Sequence, residues 1–288
     1  MSPREAILSE ISRVVAIPSF APKAAVLLEA PDPDLDQLAR IIEYDPGLTA
    51  NLLKIVNASF FSASDPLLTA REAIRQIGSA RMLQFVISTG VAPTYVCKVE
   101  GYDLAPNMHL QHSVTVALAA RELGQVLGLD APDHVFTAGL LSGVGKILLG
   151  AYVEVDVRPI LDLVDQGMDF DRAEDEVLGI NHAEVGARLL EKWGLPSSLV
   201  DVVRHHLRPE EALRPNLVLD LVHIGNVLAK MIGVGLGLDG LNYAPSTAVA
   251  KRLGLTPEIL DEVSVNVVED LGEVWDLFLE CAGEASRL

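Results

Sequence analysis

Apolar residues recur along this chain at spacings of three and four, the period of a helix, and no run alternates apolar and polar positions in the manner of a strand. Ser2 and Glu5 have capping-box spacing, Pro3 suits a first helical position, and Ile7, Ile11, Val14 and Val15 form one stripe, which predicts a helix at the start. Pro18 and Pro22 should end it, since each restricts the residue before it. Asp34 predicts a cap for a short helix with Leu35, Leu38, Ile41 and Ile42 on one side, followed by a turn at Asp45-Pro46-Gly47 and a helix through Leu52, Leu53, Ile55 and Val56. Thr69 can cap 70–77, Gly78 can close it, and Ser79 can open a segment through Met82, Phe85 and Val86.

Between Lys98 and Asn107 the periodicity weakens around Gly101 and Pro106, which predicts a connection between an N-terminal helical lobe (1–105) and a second lobe (106–288). The second lobe opens with a long helix over Met108–Leu127, with His112, Val116, Ala119 and Leu123 on one face, and another runs from Pro132 toward Leu141. Amphipathic pieces follow at Pro159–Val164, Arg172–Leu178, Ala183–Trp193, Leu199–His206, Leu217–Ile232 and Thr247–Leu253, and from Pro257 onward. The fold class expected is all-α. The most apolar stretch, Leu217–Leu238, carries Asp220, His223, Asn226 and Lys230, so it reads as a core helix and not a membrane span.

Composition narrows the function classes. Forty acidic against 22 basic residues give a formal charge of −18, a mean field that repels phosphate backbones, and no basic cluster offsets it, so direct nucleic-acid binding is disfavoured. Cys97 and Cys281 stand far apart with no C-x-x-C spacing, and the N-terminus lacks the pattern of a secretory signal, which together predict a cytoplasmic protein without disulfides.

The ordered segments Ile17-Pro18-Ser19-Phe20, Leu38–Asp45, Asp45–Phe61, Thr69–Gly78 (TAREAIRQIG) and His112-Ser113-Val114 resemble the HDOD family over roughly residues 12–210. The resemblance implies a multi-helical scaffold like that of HD-domain metal hydrolases, and a role in bacterial signal transduction. Expected partners are signalling proteins such as kinases, receiver domains or cyclic-dinucleotide proteins.

The stretch AGLLSGVGKILL (138–149) is similar to the HD-superfamily segment in which a His-Asp pair precedes a Val/Ile-Gly-Lys step, and here that pair reads Ser142-Gly143. In active relatives the pair anchors metal and turns a bound water into a nucleophile. Gly143 has no side chain, and a Ser142 hydroxyl is a poor substitute for imidazole. By the same resemblance His112 matches a first ligand, His182 a later one, His205-His206 follow at a plausible interval, and Asn226 stands where an acidic ligand is usual. The expectation is therefore a degenerate pocket of His112, Ser142, Gly143, Lys146, His182, His205, His206 and Asn226, with no catalysis and no resident metal.

Alternatives stay open. His112 can simply bond a backbone carbonyl in the core, His182 can serve a helix start, and only one of His205 and His206 can point inward easily. A residual metal site from His112, His182 and His205 or His206 is the competing arrangement, and a divergent phosphohydrolase would add carboxylates such as Glu184 or Asp201. A third option is a nucleotide or small-molecule sensor that uses the emptied pocket. Lys146 can meet an anion but is favoured as a helix-end surface charge, His109 is expected to face solvent, and Asp220 with His223 to make a polar contact along one helix. SGVGK (142–146) fails the phosphate-loop pattern at Leu140 and Ile147, GVGLGLDG (233–240) reads as a turn, and Cys97 has no activating neighbour. Val267, Val268, Leu271, Val274, Trp275 and Phe278 outline an apolar helix face, for which a homodimer contact is one use.

Overall fold

The computed structural model describes residues 2–13, 34–43, 52, 56, 69–78, 82, 97–132, 134–240 and 245–285, with residues 36, 40, 41, 43 and 273–285 described by their backbone alone. The expected turns around Pro18, Pro22 and Asp45-Pro46-Gly47 and the segment opening at Ser79 lie outside these residues, apart from Met82, which is helical. The described elements are α1 (Pro3–Arg13), α2 (Leu35–Glu43), a helical run over 70–78, and then ten more helices. These are α3 (Met108–Val126), α4 (Val135–Leu141), α5 (Gly145–Val155), α6 (Val157–Asp165), α7 (Phe170–Leu178), α8 (His182–Lys192), α9 (Ser197–His205), α10 (Leu217–Ile232), α11 (Thr247–Leu253) and α12 (Pro257–Ala285). Among the described residues there is no strand, only an isolated bridge between Val99 and Leu104, so the all-α expectation holds.

Local sequence explains the ends of these helices. Ser2 and Glu5 form a reciprocal capping box, the Ser2 amide donating to Glu5 Oε2 (2.9 Å) and the Glu5 amide to Ser2 Oγ (3.3 Å). Thr69 and Glu72 repeat it, both bonds at 3.2 Å, and Gly78 adopts φ +77°, the left-handed conformation a glycine takes at low cost. Asp34 caps α2 through the Gln37 amide (2.9 Å). Asn216 caps α10 through the amides of Val218 and Leu219, and Gly233 closes it at φ +85°. The one helix without its own expectation, α5, starts beside Val144 with no side-chain cap, which leaves no signal of the usual kind.

Helix α3 is the axis of the molecule and buries most of its side chains against α10, α4 and α12. The run Val135–Val155 is long and apolar enough to cross a membrane by composition alone, but it is broken into α4 and α5 and 78% of it is buried inside the fold. Helices α5 and α8 cross so closely at Gly145 that a Cβ there would stand 2.6 Å from the Gly186 amide and overlap the His182 carbonyl. That crossing sets Lys146, one residue further on, beside the start of α8, where His182 sits.

Helix α12 lays Val267 into the core, with Leu271 partly buried, and ties to α3 through Asn266 to Glu122 (2.7 Å) and Arg121 to Asp270 (3.3 Å). Val268, expected on the same face, is instead 54% exposed. The side chains of Val274, Trp275 and Phe278 lie outside the description.

Candidate functional site

The close packing of α3 on α10 brings His112 to Asn226, and His112 Nε2 lies 3.0 Å from Asn226 Oδ1. With that amide oxygen as acceptor, the imidazole donates from Nε2, and Nδ1 lies 3.4 Å from the Val234 carbonyl. Two of the expected pocket positions therefore meet, on adjoining helices, as a neutral hydrogen-bonded pair.

The 142–146 segment explains the rest of the pocket. Ser142 Oγ donates to the Gly139 carbonyl at 2.8 Å, so its hydroxyl is committed to the backbone. A Cβ on Gly143 would lie 2.8 Å from His109 Cε1, which means the buried imidazole of His109 fills the space where any side chain at 143 would begin. His109, expected to face solvent, is thus a wall of the pocket. Its place in the first turn of α3, one turn before His112, makes the two rings neighbours on one side of the helix.

Lys146 corrects a second expectation. Its side chain is 5% exposed, not a surface charge, and Nζ donates to Asp239 Oδ2 at 2.6 Å, with Asp239 itself 6% exposed. The ammonium also stands 5.5 Å from the centre of the Tyr102 ring, within cation–π range. Lys230 of α10 joins the pair by donating to the Asp239 main-chain carbonyl (3.1 Å), with Oδ2 at 3.8 Å. Asp239 lies in the glycine-rich stretch read as a plain turn, and no spacing rule ties it to Lys146, 93 positions away.

A second buried network lies next to the first. Glu174 accepts from Tyr102 Oη (2.5 Å) at one oxygen and from the His182 amide (2.9 Å) and ring Nδ1 (2.8 Å) at the other. The His182 and His206 rings meet edge-on with centres 6.0 Å apart. His206 Nδ1 lies 2.8 Å from the Val203 carbonyl, while His205 is half-buried, so of the adjacent pair it is His206 that points inward. His223 donates from Nδ1 to the His206 carbonyl (2.8 Å) and accepts at Nε2 from the Ser246 amide (2.9 Å). Asp220, expected to meet His223 along the helix, holds Arg252 of α11 in a two-pronged ion pair at 2.6 and 2.8 Å.

Charge follows from burial. Desolvation, reinforced by the Lys146 ammonium, lowers His112 to about 4 and holds His109 well below the ordinary imidazole value. His206 is also held well below it, by burial and then by its proximity to His182, and burial lowers His223. The two lysines outweigh the desolvation of Asp239 and keep its carboxyl far below the usual range, and burial lowers Lys230. Near neutral pH the imidazoles of His109, His112, His206 and His223 are therefore neutral, beside a buried ion pair.

This donor set does not fit a hydrolytic metal. Gly143 offers nothing, Ser142 and Asn226 are neutral and engaged, Glu174 is spent on Tyr102 and His182, and a lysine ammonium occupies the centre. Among the described residues no three His, Cys, Asp or Glu side chains stand close enough to share a metal ion. The carboxylates considered as replacements are elsewhere: Glu184 binds Arg188 (2.6 Å) and Arg204, and Asp201 is exposed.

The HDOD domain family profile matches residues 14–209. An HDOD domain protein of unknown function from Geobacter sulfurreducens superposes with a TM-score of 0.67 at 21% identity, covering 96% of this chain and 97% of that one. A provisionally named phosphohydrolase from Shewanella amazonensis SB2B gives 0.66 at 22% identity, covering 96% and 97%. A provisionally named signal transduction protein from Marinobacter aquaeolei VT8 gives 0.68 at 20% identity, covering 99% of this chain and 62% of that one. These likenesses establish a shared fold. The chain also aligns over 229 residues, at 23% identity, with an uncharacterized Treponema pallidum (strain Nichols) protein, taking in 78% of this chain and spanning 44% of that relative.

Proposed function

Because this chain belongs to the HDOD domain family, we propose that it is a non-catalytic signalling module that acts through contacts with other proteins. One observation carries the reading: Lys146 and Asp239 form a buried ion pair in the pocket where HD enzymes resembling this chain hold metal, next to a residue, Gly143, that has no side chain. An ammonium there repels a second cation and cannot polarise a water as a divalent ion does. The name of the Marinobacter relative agrees with a signalling context and that of the Shewanella relative with hydrolysis, and both come with a likeness of fold alone. Partners of the class expected, kinases, receivers or cyclic-dinucleotide proteins, fit this role, as does a cytoplasmic location. A boundary near residue 105 would separate the two lobes.

Hydrolysis assays on the full chain test the proposal. Cyclic dinucleotides, nucleotides and a chromogenic phosphate ester, each with added Mn²⁺, Mg²⁺ or Fe²⁺, should show no turnover above the buffer. Turnover that disappears in His112→Ala would overturn it.

A further inference from the structure

Residues 233–240 run as a strap between the pocket and the surface. At the outer end, Gly233, Val234 and Gly235 form one wall of a groove of about 440 Å³, which Val268 and Leu271 of α12 close from the other side. At the inner end, Asp239 reaches Lys146 and Lys230. Between them the strap presses on the body where only glycine fits. A Cβ on Gly235, at φ +61°, would stand 2.8 Å from the His112 amide and collide with the Met108 carbonyl, and one on Gly237 would collide with the Tyr102 carbonyl. The same segment thus carries Asp239 at one end and a wall of the groove at the other.

The pocket end has the make-up of an anion site. Two ammonium groups, from α5 and α10, converge on one acidic residue in a buried setting, and they engage it through two different oxygens, Oδ2 and the main-chain carbonyl. A tetrahedral oxyanion carries several acceptor oxygens on one centre, so a single phosphoryl group can satisfy both ammoniums where Asp239 needs side chain and backbone together. A planar aromatic face, Tyr102, already lies over one of the cations.

We infer that this pocket binds a phosphoryl-type oxyanion and that Asp239 is its built-in competitor, so that the anion displaces the strap and reshapes the groove against α12. The inference rests on the non-catalytic reading only in that the anion is bound and not turned over. The two fail separately, since turnover sinks the first and absence of anion binding sinks the second. The apparent affinity of the wild type is reduced by the fraction of molecules with the strap closed, so opening the strap should reveal the site.

The experiment is a calorimetric titration of the full-length protein with inorganic phosphate, against chloride at equal ionic strength. Asp239→Asn removes the competing charge. Gly237→Ala forces the strap away from Tyr102 without touching either lysine, and it decides the matter if the first variant does not fold. A folded strap-opening variant should bind one phosphate per chain about tenfold or more tighter than wild type, and adding Lys146→Met should abolish the gain. Hydrogen exchange needs no variant: amides of 233–240 in the wild type should exchange faster in phosphate than in chloride. Folded variants without saturable phosphate binding, or wild-type exchange that is the same in both salts, would overturn the inference.

Discussion

Lys146 Nζ and Asp239 Oδ2 lie 2.6 Å apart, joining α5 to the strap after α10 inside a pocket that excludes almost all solvent from both side chains. Removing one partner of a buried pair leaves the other charge without compensation, which costs more than the pair contributes. Lys146→Met should therefore destabilise the protein in denaturant unfolding, by less than the cost of a fully stranded charge, about 3–5 kcal/mol, because Lys230 Nζ stays 3.8 Å from Asp239 Oδ2. Adding Asp239→Asn to it should recover part of that loss, because the stranded carboxylate is gone. Additive losses in the double variant would show that the two side chains are not coupled.

The contact between Gly143 and His109 gives a second expectation. A methyl at 143 begins inside the volume of a fully buried ring, and overpacking of this kind costs about 1–3 kcal/mol. Gly143→Ala should lower the urea midpoint by that amount, and His109→Ala should lessen the penalty of the added methyl. A Gly143→Ala variant as stable as the wild type would mean that His109 yields freely.

Glu174 is held by three donors, and the one from Tyr102 is the simplest to remove. Tyr102→Phe keeps the ring beneath Lys146 and deletes a hydrogen bond to a buried carboxylate, worth about 1.5–3 kcal/mol. Thermal unfolding of the variant should show the corresponding drop, and an unchanged midpoint would contradict the bond's role.

The histidines set a pH window. His112 titrates at about 4 in the fold against 6.5 unfolded, so the unfolded chain binds the proton first as pH falls. Its contribution is fully present above pH 6.5 and is lost on the way down to about 4, a loss of roughly 3 kcal/mol from this group alone. His109, His206 and His223 are shifted in the same direction, so their contributions are likewise lost as pH falls below 6.5. Asp239, depressed below its ordinary 3.8, weakens the fold only under more acid conditions. Unfolding free energy measured from pH 7.5 to 4.5 should fall steadily, and a flat profile would mean that these imidazoles are not held neutral.

Helix type and extent were largely legible in the sequence, because capping residues and apolar stripes act locally. Ser2 with Glu5, Thr69 with Glu72, and Asn216 with Gly233 bound their helices as spacing predicts. His112 meets Asn226, and His182 meets His206, but the other partners of the buried networks were not legible. Asp239 meets Lys146 across 93 positions and Glu174 meets Tyr102 across 72, and neither pairing leaves a local pattern. The inward turn of Lys146 had the same cause: Gly145 admits a close crossing with α8, and only the crossing buries the next side chain. His109 faces inward and not toward solvent for a related reason, since its space exists only where Gly143 leaves it.

Manganese titration of the metal-stripped full chain, read by calorimetry and by anomalous scattering from soaked crystals, puts the exclusion of metal by Lys146 to its most direct trial. The expected result is no stoichiometric binding and no anomalous peak between His112, Lys146 and His182. One or two well-ordered ions there, lost in His112→Ala, would contradict it.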